Sequence, residues 1–172
     1  MQAQSMDCYL NKILRWFATA LLSLSVFTAS HVLAEPFEFS VDTDDGEIST
    51  DALRGKAVYI DFWASWCVPC RKSFPWMNSM QAKYGDQGFT ILAINVDKDR
   101  KLAEQFLATY PANFQIGYDP KGTLAEKLNV IGMPMAFLLN AQGELVHRHV
   151  GFKTSKTAEY EQSILELLES AQ

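Results

Sequence analysis

One stretch constrains this chain more than any other. Ala57-Val58-Tyr59-Ile60-Asp61-Phe62 is a near-continuous apolar run, and it leads almost directly into Trp66-Cys67-Val68-Pro69-Cys70. A short apolar run of this kind suits a central strand buried on both faces. After the cysteines, Arg71 to Tyr84 places Phe74, Met77, Met80 and Tyr84 near helical spacing. The chain must therefore turn from a buried strand into a helix across two thiols. Pro75 lies inside that helical segment and is expected to kink it.

Two thiols at this spacing can close a disulfide and open it again. With a helix opening at the pair, Cys67 lies near the positive end of the helix dipole, where unpaired backbone N–H groups point toward it. Both effects favour thiolate over thiol. An ordinary cysteine has a pKa of about 8.5, and helix N-termini lower it by one to several units. Cys70, one turn further in, is expected to be less accessible. Cys67 is therefore read as the attacking sulfur and Cys70 as the one that resolves the mixed disulfide. Pro69 suits a first helical turn, where its missing N–H would be unpaired anyway.

Other uses of the pair fit less well. Zinc takes four ligands, commonly from two such pairs or a pair plus histidines. There is no second pair, and the histidines beyond residue 34, His147 and His149, both fall on the last expected strand. A purely structural disulfide over so short a loop constrains little of the unfolded chain. Haem attachment is excluded at this pair, because Arg71 stands where a histidine would have to follow Cys70. Neither a metal nor a cofactor is expected.

The first 34 residues read as a secretory signal. Lys12 and Arg15 precede a charge-free apolar run from Trp16 to Ser30, and Val32-Leu33-Ala34 supplies compact residues before a cut after Ala34. The charge-free run of 15 residues falls short of the roughly 20 that a spanning helix needs, which disfavours a retained membrane anchor. Cys8 precedes the apolar run, so it does not resemble a lipid-attachment cysteine. The expected working domain, 35–172, is long enough for one hydrophobic core. Of 15 basic and 20 acidic side chains, loss of Lys12, Arg15 and Asp7 leaves 13 and 19, a net charge of −6. No basic stripe is present, so nucleic acid is not an expected partner. Cys67 and Cys70 are then the only cysteines, in a compartment that permits disulfides.

Along the domain, Glu35 to Ile48 reads as an extended arm with a turn at Asp44-Asp45-Gly46. Phe89 to Val96 is the second strong strand, and Asp99 to Tyr110 reads as a helix. Asp119-Pro120-Lys121-Gly122 is a turn and Thr123 to Leu128 a short helix. Met133 to Leu139 and Glu144 to Val150 form a hairpin of strands, and Ser155 to about Glu169 is a closing helix. The expected class is α/β, a mixed sheet flanked by helices.

These residues resemble the thioredoxin superfamily, and within it the exported TlpA/ResA/DsbE-like thiol–disulfide oxidoreductases. The resemblance runs from about Phe37 to the C-terminus. It rests on the block from Gly55 to Arg71, on Pro75, on Val130-Ile131-Gly132-Met133-Pro134, and on Phe137 to Glu144 followed by Gly151. Asp97 to Asp119 is similar to the insertion that separates this subgroup from minimal thioredoxins. The resemblance implies a thioredoxin-like sheet with an N-terminal arm and an inserted helix after the second core strand. It implies a cis Pro134 facing the disulfide, leaving the backbone of Met133 free to pair with an extended peptide. It matches Asp61 to the buried acid that exchanges protons with the inner cysteine, and burial among apolar residues would raise its pKa. Ala93 stands where thioredoxin places a lysine beside that acid, and Ser73 where some relatives carry a glutamate.

Trp66, Val68, Pro69, Met133 and Pro134 are expected to line the substrate contact, with Trp66 shielding Cys67. Trp63, Trp76, Met77 and Met80 are assigned to the core. The function implied is a periplasmic reductant of disulfides in exported client proteins, for example in cytochrome c maturation or metal-site assembly. A membrane thiol-transfer reductase would recharge it, and a monomer is expected. Two other readings remain open: a thiol peroxidase, although Ala64 stands where its threonine is needed, and a non-catalytic exported binding or chaperone module.

Overall fold

The computed structural model describes residues 37–170. The expected signal segment, its cleavage point and Cys8 lie outside the described residues. No helix among the described residues is long and apolar enough to cross a membrane.

Seven strands form one mixed sheet. In chain order they are β1 (Ser40–Thr43), β2 (Gly46–Ser49), β3 (Ala57–Trp63), β4 (Phe89–Asn95), β5 (Gln115–Tyr118), β6 (Met135–Leu139) and β7 (Leu145–Val150). The helices are α1 (Cys70–Tyr84), α2 (Arg100–Thr109), α3 (Thr123–Lys127) and α4 (Thr157–Glu169). In space the strand order is β2-β1-β5-β4-β3-β6-β7. β3, β4 and β5 run parallel, and the β6–β7 hairpin joins β3 antiparallel. This is the thioredoxin-like architecture expected from the sequence.

Every residue of β3 is buried, as its apolar run requires. Side chains alternate across a strand. Tyr59 and Trp63 face a core shared with Phe74 and Met77 of α1, Phe106 of α2 and Ile164 of α4. Val58, Ile60 and Phe62 face a second core with Val41, Leu53 and Leu124 of α3. Burying side chains of the size of Phe74 or Met77 contributes roughly 1.5–3 kcal/mol each.

The structure makes three sequence expectations more specific. The expected extended arm is present with its turn at Asp44-Asp45: it forms the hairpin β1–β2 and pairs with β5. Gly46, which opens β2, has φ 112°, a conformation suited to glycine. Gln115–Tyr118 forms a strand where only an insertion was expected; its four residues lack a periodic signal and gain their order from β4 and β1. Trp76 packs against the core as assigned but is only half-buried, its ring lying against Tyr59, Phe152 and Tyr160. Helix α1 continues through Pro75 to Tyr84.

Candidate redox site

β3 ends at Trp63, and the chain turns through Ala64 to Pro69 into α1. Cys67 and Cys70 are joined in a disulfide with Cα atoms 5.3 Å apart. The Cys70 N–H donates to Cys67 Sγ at 3.2 Å, so the sulfur accepts an N–H from the first residue of the helix. Pro69 holds helical angles at the N-cap, and its carbonyl accepts the N–H groups of Lys72 and Ser73. Cys67 is 3% exposed and Cys70 0%, the order expected for an outer and an inner sulfur. Trp66 and Val68 beside them are open to solvent, at 64% and 60%. Trp66 therefore leaves most of its own surface exposed.

Sheet register brings the proline loop to the same end. Phe62 pairs with Met135 across β3 and β6, so residues 133–134 lie where β3 runs out toward the cysteines. The Met133–Pro134 peptide is cis. Met133 packs against the buried cluster that contains both cysteines. The Pro134 carbonyl accepts the Gly151 N–H at 2.7 Å, which ties the loop to the end of β7.

Asp61 sits in the middle of β3, on the face that carries the cysteines and α1. Its neighbours in register are Ala93 on β4 and Ala136 on β6, two methyl groups without a polar atom. It is 2% exposed, and its Oδ2 has no hydrogen-bond partner among the described residues. Burial holds the carboxyl well above the usual carboxylate range, because the charged form loses its water. The same burial, with the charges of Asp61 and Tyr160 nearby, raises the Tyr59 phenol.

The structure adds three residues that sequence reasoning passed over. Asp97, just beyond β4, accepts the Ser65 N–H at 2.8 Å, the Ser65 hydroxyl at 2.9 Å and the Asn95 side-chain amide at 2.8 Å. Asn95 Oδ1 in turn accepts the Asp97 N–H. These bonds pin the redox loop to the end of β4, two residues before Cys67. Polar Asn95 and Asp97 closing an apolar strand were the available signal. Beneath the loop, Trp63, Phe74 and Phe106 form a ring cluster with centroids 4.7–4.9 Å apart.

The Redoxin family model matches residues 28–164. The chain belongs to the Redoxin family. It is 33% identical over 113 residues to the thiol-disulfide oxidoreductase ResA of Bacillus subtilis, a match spanning 66% of this chain and 63% of that protein. It is 38% identical over 126 residues to the thioredoxin-like protein YneN of the same organism, spanning 71% of this chain and 73% of YneN. Among solved structures, a Chlorobium tepidum protein assigned as the thiol:disulfide interchange protein DsbE is 44% identical. It superposes with a TM-score of 0.74, over 76% of this chain and 93% of that one. StoA of Bacillus subtilis is 29% identical with a TM-score of 0.63, over 77% and 98%. The Redoxin chain described here is thus a TlpA/ResA/DsbE-like member of the thioredoxin superfamily, and its Cys67–Cys70 pair is that of a thiol–disulfide oxidoreductase.

Proposed function

We propose that this protein is exported, is cut after Ala34, and works as a monomeric reductant of disulfides in client proteins. The observation that carries the reading is the Cys67–Cys70 disulfide at the start of α1, with the outer sulfur accepting the Cys70 N–H. The charge-free run from Trp16 to Ser30 supports export.

In the reduced protein, the Cys67 thiolate attacks one sulfur of a client disulfide. That bond breaks, a Cys67–client bond forms, and the client's other sulfur leaves as a thiolate. Cys70 passes its proton to the Asp61 carboxylate and attacks Cys67. The second client sulfur departs, and the pair closes to the disulfide seen here. Two electrons reach the client, whose two thiolates take protons from solvent. A carboxyl raised by burial is suited to this transfer near neutral pH. Trp66, Val68, Pro69, Met133 and Pro134 would hold the client segment. With no further cysteine between residues 35 and 172, electrons come from another dithiol protein, a membrane thiol-transfer reductase. Fitting clients include apocytochromes c and metal-site assembly factors.

The test is Cys70→Ser, which leaves the first exchange intact and removes the second. It is expected to trap mixed disulfides with exported clients, whereas Cys67→Ser captures none. Trapping by neither variant would overturn the reading. A potential nearer about −120 mV than about −270 mV would overturn the reductant direction. Peroxide consumption by the purified protein would favour the thiol peroxidase alternative instead, but Ala64 is fully buried and brings no hydroxyl to the loop. If Cys67→Ser left the cellular phenotype intact, the non-catalytic module would stand.

A further inference from the structure

Beside the redox loop lies an open groove of about 350 Å³ between α2 and the start of α1. Ser65 and Arg71, which bracket the Trp66–Cys70 motif, form one wall. Leu102, Gln105 and Thr109 on α2 form the other, with Phe106 and Tyr110 at the base. The base is well packed, because Phe106 lies against Trp63 and Phe74 and against Tyr110, whose ring is tilted to it with centroids 4.9 Å apart. The wall nearest the sulfurs is held by the Asp97 bonds to Ser65. Leu102 remains 42% exposed, a large apolar side chain facing solvent near Lys101 and Gln105.

Arg71 is the unusual member. The described residues contain four arginines. Arg54 pairs with Glu38 and Asp51, Arg100 with Asp44 and Glu104, and Arg148 lies over the Phe137 ring. Arg71 has no ion pair, side-chain hydrogen bond or ring contact among the described residues. No carboxylate lines the groove, although the 35–172 domain as a whole is acidic. The groove thus offers one uncommitted guanidinium, neutral donors from Gln105 and Tyr110, and the apolar Phe106 and Leu102.

We propose that this groove is a specificity subsite for an acidic client segment. A Glu or Asp close to the client's reacting cysteine would meet Arg71 while the neighbouring chain lies over Leu102 and Phe106. Two features select this occupant. Ser65 and Arg71 of the groove bracket the Trp66–Cys70 motif along the chain, so a segment exchanging with Cys67 comes within reach of it, and its one free charge is positive. Arg can grip a carboxylate in a planar two-bond pair that lysine cannot reproduce. The inference rests on the reading of Cys67–Cys70 as a pair that exchanges with client disulfides.

The experiment uses the reduced full-length protein and three disulfide peptides, identical except for Glu, Gln or Lys beside the reacting cysteine. The second-order exchange rate is measured for each. The Glu peptide is expected to react about tenfold faster than the Lys peptide at low salt, with Gln between. The ratio should fall toward unity at 1 M salt, where the screening length is about 3 Å. Arg71→Glu should invert the order. Because Arg71 adjoins Cys70, the ratio between peptides is read rather than the absolute rate, since sulfur reactivity cancels within each variant. Gln105→Glu, on the exposed far wall, should shrink the Glu preference without touching the sulfurs. Equal rates for all three peptides would overturn the subsite and leave the oxidoreductase reading intact. A Glu preference undiminished in both variants would assign it to the helix end alone and overturn the subsite. No reaction with any peptide would overturn the oxidoreductase reading itself.

Discussion

Two buried carboxylates at this end of the sheet are treated in opposite ways. Asp97, just past β4, is saturated: a backbone N–H, a hydroxyl and a side-chain amide converge on its two oxygens. Asp61, on the adjacent strand, faces two alanine methyls and leaves Oδ2 unpaired. Both are almost fully buried. A buried charge is expensive unless its hydrogen-bonding capacity is met. The protein meets that requirement where it needs a fixed loop and leaves it unmet where the proposed mechanism needs a group that can hold or release a proton. An acid can serve as a clamp or as a proton carrier, and the neighbours across the sheet decide which.

The contrast can be broken most decisively at Asp97. Asp97→Ala strips the acceptor from three donors, and unfolding by denaturant should show a loss of about 3 kcal/mol. A loss below about 1 kcal/mol would mean that water replaces the clamp and that the contrast is superficial. Asp61→Asn should do the reverse. Stability at pH 7 should hold or rise, while release of client from the mixed disulfide slows about 100-fold, read by rapid quench and mass analysis. Unchanged release would remove Asp61 from the proton path.

The pH dependence sharpens the same point. Asp61 binds its proton more tightly when folded than when unfolded. Its contribution is therefore fully present below the unfolded value of about 4 and is lost as pH rises toward the raised folded value. The wild-type protein should lose stability relative to Asp61→Asn across that window, at up to about 1.4 kcal/mol per pH unit. A flat difference between the two proteins would contradict the burial argument. The smallest expected effect is at Ser65→Ala, which removes one of the bonds to Asp97. A cost of about 1 kcal/mol in thermal or denaturant unfolding is expected.

The sequence was readable where information is local. The apolar run of β3, the helical spacing after Cys70 and the cysteine pair itself all lie within about 30 residues, and the structure reproduces them as one strand–turn–helix unit. Trp63 is buried as assigned, and Asp61 is buried among apolar groups as its position in the run implied. β5 was missed because four residues with a glycine at their centre carry no periodicity, and their order comes from flanking strands. The clamp at Asp97 was missed because it joins residues 32 apart in the chain. Trp76 packs on the core yet is only half covered, because helical spacing tells which face a residue lies on, not how far the neighbouring elements cover it.

By itself, then, the amino-acid order determined the class of fold, the pair of sulfurs and which of them lies nearer the surface. Those follow from backbone propensity, side-chain alternation and the asymmetry of a helix start, all of which act over a few residues. Tertiary structure decided the rest. Register across β4, β3 and β6 set Ala93 and Ala136 against Asp61, and the turn after β4 delivered Asp97 to Ser65. Packing of α2 on Phe74 and Trp63 opened the groove beside Arg71. Each of these depends on which distant segments lie side by side, because the environment of a charge is set by what surrounds it in space rather than by its neighbours along the chain.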